Sequence, residues 1–370
     1  MRHGIRAPLD GEVPPGTRTG APWPAWPVAQ SRITPHGVRA LHRVAAYDRR
    51  LLAARGVFDA TGCPVGSVRI RSNSSDRTIA SGRAYADGFA PGCNLAVEHR
   101  PLGAVDPIFE PLRARATAFD PAAAIRAIDR ETGGMTALVR RHGAALDKLD
   151  QVLGCGAAEQ GCLSADAPGL RASADGHDLV LAGPVRAASG IAQVMLLQEV
   201  EGLPRDRVGW GRVDPATLKQ LGGLHAALFA VFTHSPYMAA HQAAVLGRDV
   251  LAALGSNGPR LTVFMGHDTN VTALAAALGV DLKTADYATN DVPPGGAILI
   301  EKLRDFRTGA RFVRVSYRTQ SLATLRGLGR SASLVPLMIP GCPRSSCPAA
   351  SFARLLAARL APLQPNPPAP

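Results

Sequence analysis

Lysine is nearly absent from this chain. Only four of its 41 basic side chains are lysine, so a net charge of +12 rests almost wholly on arginine. Aromatic residues are sparse as well, at 5% of the sequence. A nucleic-acid-binding surface calls for basic residues clustered on one face or interleaved with aromatics. The arginines here are scattered and the aromatics few, which argues against nucleic acid as a partner. Arginine richness also follows from codon preference, so the charge by itself names no anionic partner. Long apolar runs are missing too. The stretch 221–232 comes nearest and is interrupted by His225, well short of the ~18 apolar residues of a membrane span, so no membrane partner is expected. No C-x-x-C pair and no Cys/His cluster at zinc spacing occurs, so no metal site is expected either.

What is present is the composition of a folded globular protein. At 370 residues, 46% hydrophobic and 19% charged, the chain can form one large domain or two smaller ones. Six cysteines fall by proximity into three couples: Cys63 with Cys93, Cys155 with Cys162, and Cys342 with Cys347. Proximity does not fix the pairing, because six cysteines allow many connectivities. Disulfides in an oxidising compartment fit this usage better than free thiols. Export calls for a leader, yet the chain opens Met1-Arg2-His3-Gly4 with neither a basic n-region nor an apolar h-region.

Periodicity gives an order of elements. Residues 14–27 are rich in proline and form a loop wall. Thr34 as N-cap, Pro35 at the first helical position and the stripe Val38, Leu41, Val44, Leu51, Leu52 predict a helix ending at Gly56. A strand is expected at 68–71, a polar turn at 72–76, a helix at 78–89 and a strand at 94–97. From about 109 to 233 the pattern becomes helices broken by loops. Leu261 to Met265 is a short apolar run of the kind buried on both faces of a parallel sheet. A helix at 270–278 and strands at 297–300 and 312–317 follow. This order predicts an α/β fold: a three-layer α/β/α domain with a mostly parallel sheet, from residues 1–108 and 234–370, carrying an inserted helical cap at 109–233. The proline-rich residues 362–370 read as a disordered end.

Three short segments carry chemistry. Arg2-His3-Gly4-Ile5-Arg6-Ala7-Pro8 places guanidinium forks on both sides of an imidazole, and such forks match the oxygens of a phosphoryl group. Gly266-His267-Asp268 stands where the apolar run stops, at the strand end where such sheets hold their ligands. It offers a donor and a carboxyl group for ester cleavage. Asp76-Arg77-Thr78 sets a further arginine at a strand-to-helix turn, beside backbone N–H groups that attract anions. A second Arg-His-Gly, at 141–143, has Ala145 in place of the second arginine and reads as one face of a helix.

Together these segments resemble the histidine acid phosphatases, in the branch that holds bacterial periplasmic phytases and glucose-1-phosphatases. The tryptophan-proline loop, Asp106-Pro107-Ile108-Phe109, Trp210-Gly211-Arg212, Pro293-Pro294-Gly295-Gly296 and the cysteine segments extend the likeness over nearly the whole chain. The resemblance implies the three cysteine couples as disulfides, and with them a periplasmic or secreted location. It implies His3 as a nucleophile forming phosphohistidine, and Asp268 as acid for the leaving alkoxide and base for the incoming water. Arg2, Arg6, Arg77 and His267 would bind phosphate. The implied partner is a small-molecule phosphate ester, a sugar phosphate or an inositol phosphate. No cofactor is implied, since arginines supply the charge that a metal ion supplies at other phosphoryl-transfer sites.

The departures matter as much. Leu9 and Asp10 stand where phytases tend to carry threonine and lysine, and Gln193 where they carry glutamate, which points to an ester smaller than phytate. Glu201 is a candidate contact for a sugar hydroxyl. Relatives place an apolar strand directly before Arg-His-Gly. The expectation is that Met1 is an internal methionine and that the natural protein continues upstream through such a strand to a signal peptide. If it does not, the alternative is a catalytically impaired phosphate-ester binder. A mutase-like transferase shares the Arg-His-Gly nucleophile, but the helical insertion and the acid directly after His267 argue against it.

Overall fold

The computed structural model describes every residue except 60, 156–161, 164–165, 256–257, 344 and 365–370. In chain order it contains α1 (Pro35–Ala54), β1 (Val68–Ser72), α2 (Asp76–Phe89), β2 (Val97–Glu98), α3 (Pro121–Thr132), α4 (Met135–Arg141) and α5 (Gly143–Leu153). There follow β3 (Gly169–Ala172), β4 (Leu179–Ala182), α6 (Pro184–Glu201), α7 (Pro215–Phe229), α8 (Pro236–Gln242) and α9 (Ala244–Gly255). The chain closes with β5 (Leu261–Met265), α10 (Asp268–Leu278), β6 (Ala297–Arg304), β7 (Arg311–Thr319), α11 (Leu322–Arg326), β8 (Ser333–Pro336), β9 (Ser346–Pro348) and α12 (Ala349–Ala358).

Local chemistry sets many of these boundaries. Four helices open on a capping side chain followed by proline: Thr34-Pro35, Asp120-Pro121, Asp214-Pro215 and Ser235-Pro236. In each the cap oxygen accepts a backbone N–H of the first turn. Proline costs nothing at that position, because its missing N–H would have been unpaired. Left-handed Gly133, Gly154, Gly202 and Gly279 end α3, α5, α6 and α10.

The sheet has a parallel and an antiparallel part. β1 lies between β2 and β5, all parallel, with Ile70 opposite both Val97 and Val263. β6 and β7 pair antiparallel over their lengths, and β7 also carries β8 and β9. The α/β class predicted from the sequence is therefore correct, with the parallel pairing confined to the strands before residue 266. One core packs β1 and β5 against α1 and α2 through Ala45, Tyr85, Phe89 and Met265. Another packs α10, α9 and α12 on β7 through Leu274, Val250, Phe352 and Val315.

Several expectations are corrected in detail. The strand expected at 94–97 is only the two residues of β2. Within 109–233, expected to be helices and loops, β3 and β4 form a hairpin with Leu170 opposite Leu181. Residues 362–364 are ordered: Leu363 bridges Thr117, and Gln364 N–H donates to the Ala116 carbonyl at 2.9 Å. The rest of that tail lies outside the described residues. The second Arg-His-Gly falls at the junction of α4 and α5.

Between β5 and β6 no direct pairing occurs among the described residues; the opening segment stands between them. Gly266 N–H donates to the Met1 carbonyl at 2.8 Å, and Arg2 N–H donates to the Gly296 carbonyl at 2.9 Å. The Met1 amino group continues the ladder by donating to the Phe264 carbonyl at 2.8 Å. Burial, and then the nearby Arg318, lower that amine's pKa to about 5. Beyond Met1 a cavity of about 850 Å³ runs between the two strands, lined by Phe264, Ile298, Ile300 and Leu254 among others.

All three cysteine couples are disulfides, and no cysteine is free among the described residues. Cys63–Cys93 closes the longest loop, with a sequence separation of 30. Loop-closure entropy for that length is worth about 3–4 kcal/mol. Replacing both cysteines with serine is expected to lower the melting temperature by several degrees. The same change at Cys342 and Cys347, five apart, should cost less, as thermal unfolding of the two double variants would show.

Candidate active site

The site is assembled where three backbone segments leave the parallel strands. The opening segment runs beside β5, with His3 N–H donating to the Gly266 carbonyl at 2.9 Å and Gly295 N–H donating to the His3 carbonyl at 3.0 Å. β5 delivers His267 and Asp268 at the start of α10, where His267 N–H donates to Asn270 Oδ1 at 2.9 Å. β1 delivers Asn73 and, in the first turn of α2, Arg77. α2 also holds the opening loop in place: Gly4 N–H donates to Ser81 Oγ at 3.0 Å, and Ser81 donates to the Arg77 carbonyl at 2.6 Å. Gly266 leaves no room for a side chain, since a Cβ would stand 2.5 Å from Asn270 Oδ1 and 2.7 Å from a ring carbon of Phe109.

Five of the predicted residues, His3, Arg6, Arg77, His267 and Asp268, line one cavity of about 510 Å³. α6 and α7 close its far wall with Ser189, Gln193 and His225. His3 Nδ1 lies 2.9 Å from the Gly4 carbonyl, so it carries the proton and donates, leaving Nε2 with its lone pair. The His3 and His267 rings are 5.6 Å apart. Asn73 donates from Nδ2 to His267 Nε2 at 2.8 Å, which places the remaining ring proton of His267 on Nδ1. Arg6 forms a two-pronged pair with Glu12, one limb at 2.9 Å. Nε of Arg2, Arg6 and Arg77 is buried with no hydrogen-bond partner among the described residues. Buried donors left open in this way call for an acceptor.

Two predicted residues are placed differently. Arg2 is fully buried and does not line the cavity. Its guanidinium donates to the Val292 carbonyl and to Gln193 Oε1, and lies 3.1 Å from Asp268 Oδ2. It holds the acid, and its Nε has no hydrogen-bond partner among the described residues. Glu201 ends α6, eight residues beyond Gln193 and so roughly 12 Å further along the helix. Its carboxylate accepts from Thr34 Oγ1 at 2.5 Å and does not face the cavity. The expectation of a sugar contact at Glu201 finds no geometric support.

The field of the site sets its protonation. Burial, then Arg6, Arg2 and Arg77, hold the His3 pKa well below the ordinary histidine value, so the ring is neutral. Burial and Arg77 lower His267 to about 3. Burial and Arg6 lower Arg77 to about 10. Burial alone would raise Asp268, but the Arg2 guanidinium beside it holds its carboxyl well below the usual carboxylate range. The unfolded chain takes up protons on both histidines as pH falls below about 6.5, while the fold refuses them. Stability therefore falls with falling pH, for His267 over the window from about 6.5 down to about 3. The slope is at most about 1.4 kcal/mol per pH unit per histidine. Thermal unfolding between pH 7 and 4 should show this decline, and His267→Gln should flatten it.

Sequence reasoning missed four residues that the geometry brings in: Glu12 behind Arg6, Asn73 behind His267, and His225 with Asp291 behind Asp268. His225 Nδ1 lies 2.8 Å from Asp291 Oδ1, and its Nε2 lies 3.8 Å from Asp268 Oδ2. A histidine interrupting the apolar run of α7 was the one visible signal.

Comparison with known proteins agrees with this geometry. The family model of the histidine phosphatase superfamily (branch 2) matches residues 197–318. Phytase AppA of Escherichia coli strain K12 is 30% identical over 390 residues, covering 96% of this chain and 89% of that protein. A glucose-1-phosphatase of Salmonella typhimurium is 29% identical over 385 residues, covering 95% of this chain and 89% of that protein. Among solved structures, the Hafnia alvei phytase in complex with tartrate superposes with a TM-score of 0.90 at 29% identity, covering 98% of this chain and 95% of the other.

Proposed function

The chain belongs to branch 2 of the histidine phosphatase superfamily, a hydrolase of the histidine acid phosphatase kind, and we propose that it is an acid phosphomonoesterase acting through phosphohistidine at His3. One observation carries this reading: His3, with Nε2 free, shares a cavity with Asp268, Arg6, Arg77 and His267. The unpartnered guanidinium donors and the Nδ1 proton of His267 would receive the phosphoryl oxygens. His3 Nε2 attacks phosphorus, the P–O bond to the alcohol breaks, and Asp268 gives the departing oxygen its proton. Water then attacks phosphorus, Asp268 takes a proton from it, and the N–P bond returns its electron pair to Nε2. The same reading divides the chain into a catalytic part, 1–108 and 234–370, and a helical cap, 109–233, whose α6 and α7 face the strand ends.

Sugar phosphates and inositol phosphates are the proposed substrates. A relative's structure holds myo-inositol hexakis sulphate. Here, however, Leu9 lines the cavity where phytases tend to carry threonine, so one anchor for a second phosphate is missing. Initial rates should therefore be higher on glucose 1-phosphate than on phytate at equal concentration. The disulfides support an oxidising compartment outside the cytoplasm, periplasmic or secreted. The central test is trapping: para-nitrophenyl phosphate at acidic pH without added metal should leave a base-stable, acid-labile phosphoryl group on His3. A chain that hydrolyses the ester and never takes the label refutes the covalent route.

A further inference from the structure

We propose that His225, oriented by Asp291, is a positioning residue that carries the proton Asp268 gives and recovers in each turnover. The proposal rests on the phosphoryl-transfer reading above and adds a source for its proton. Asp268 faces two demands that conflict. To serve as an acid it must hold a proton, yet Arg2 at 3.1 Å keeps its carboxyl ionised when no ester is bound. A proton must therefore reach it from a neighbour once the phosphate arrives.

His225 is placed for that task. It is buried on α7, with its ring edge-on to Phe229 at 4.8 Å, and it lines the same cavity as Asp268. Nδ1 donates to Asp291 Oδ1 at 2.8 Å, which fixes the ring and turns Nε2 toward Asp268 Oδ2 at 3.8 Å. That is ion-pair distance, and catalytic contacts in ligand-free sites are commonly long and tighten with substrate. Asp291 is itself buried, and its carboxylate is the counter-charge that the ring faces while Nε2 carries the proton it hands on. The chain makes room for it on purpose-fit terms: a Cβ on Gly222, one turn before His225, would stand 2.4 Å from Asp291 Oδ2. The other charged or titratable groups facing this pair are Arg2, Arg77, His3 and His267 around Asp268, and Tyr287 and Tyr317 around Asp291.

The proton moves in a closed cycle. Once the ester is bound, His225 Nε2 passes its proton to Asp268, and as the P–O bond breaks the alcohol oxygen takes that proton, leaving Asp268 a carboxylate and His225 neutral. When water attacks the phosphohistidine, Asp268 removes its proton and returns it to His225. Ester and water become alcohol and phosphate, and both side chains end as they began.

Leaving-group dependence tests this, because an alkoxide needs a proton to depart and para-nitrophenolate hardly does. The quantity to follow is kcat/KM, which reports the steps up to departure of the alcohol. In His225→Asn and in Asp291→Asn, kcat/KM for glycerol 2-phosphate should fall about 100-fold or more, within the range of general acid catalysis. For para-nitrophenyl phosphate it should fall less than about 5-fold, and labelling of His3 should persist. Equal losses on the two esters in both variants would mean a structural or binding role and overturn the proposal, as would no loss on either. Absence of label in the unaltered protein would instead count against the covalent reading itself. Should His225→Asn not fold, Asp291→Asn alone decides, since it leaves the imidazole in place.

Discussion

Replacing His3 with alanine should lower kcat/KM for any phosphate ester by at least about 10⁴-fold, the scale seen when a covalent nucleophile is removed. No other group in the cavity can take its place. His267 Nε2 accepts from Asn73 at 2.8 Å, and Arg77 Nη2 stands 3.4 Å from its Nδ1, so neither ring nitrogen is open to phosphorus. Arg6 and Arg77 keep their charge and orientation in the variant, because Glu12 grips the first and the second lies against His267 Nδ1 at 3.4 Å, neither leaning on the His3 ring. Inorganic phosphate should therefore still bind to His3→Ala, and calorimetric titration would show it. Loss of turnover with binding retained separates a missing nucleophile from a collapsed site. A His3→Ala protein that hydrolyses para-nitrophenyl phosphate at more than a percent of the original rate would remove His3 from the chemistry.

Burying so many arginines in one place is costly unless each has a partner, and the fold supplies partners from behind. Arg6 is gripped by Glu12, Arg2 by Asp268 and Gln193, and Arg71 by the buried Asp106 at 2.5 Å. Arg318 leans on Asp48 at 3.1 Å and on the Gly295 carbonyl at 2.6 Å, which fixes the turn that receives the His3 carbonyl. Of these, Arg6 lines the cavity beside Arg77, and the others brace the segments around it. Positive potential is then in place before any ester arrives, so little reorganisation is needed when it binds.

What the sequence made legible follows from how local its signals are. The cap-proline pair Thr34-Pro35, the strand and turn signals at 68–76 and the apolar run at 261–265 placed α1, α2, β1, β5 and α10 within a residue or two, since those boundaries are decided by neighbouring side chains. The motifs at 2–8, 76–78 and 266–268 contain five of the cavity's residues, because the carboxyl ends of parallel strands are where such motifs must lie. Partners supplied from afar were not legible. Glu12 sits in an irregular loop and Asn73 in a turn that looked merely polar. Asp291 meets His225 across 66 positions of chain. Glu201 went the other way: it carried the right chemistry on the right helix, but two turns too far along to reach the cavity. The hairpin of β3 and β4 was hidden because strands of four residues lie inside a segment whose apolar spacing is dominated by its helices.

Asp268→Asn should divide the reaction into its halves. Asparagine keeps the shape of the side chain and an oxygen for Arg2, so the phosphate site and the neutral His3 should survive. It cannot give or take a proton. For an alkyl ester the first half then stops, and kcat/KM should fall by about 10³-fold, within the range of general acid catalysis. For para-nitrophenyl phosphate the leaving group departs without help, so the label should still reach His3 in a single turnover. Water must then attack without a base, and phosphohistidine should accumulate to nearly one per chain, visible as a burst of para-nitrophenolate followed by a slow steady rate. The sign matters more than the size. If Asp268 serves only to hold Arg2 in place, the substitution should slow both esters alike and give no burst, because phosphate binding would weaken before any bond is made.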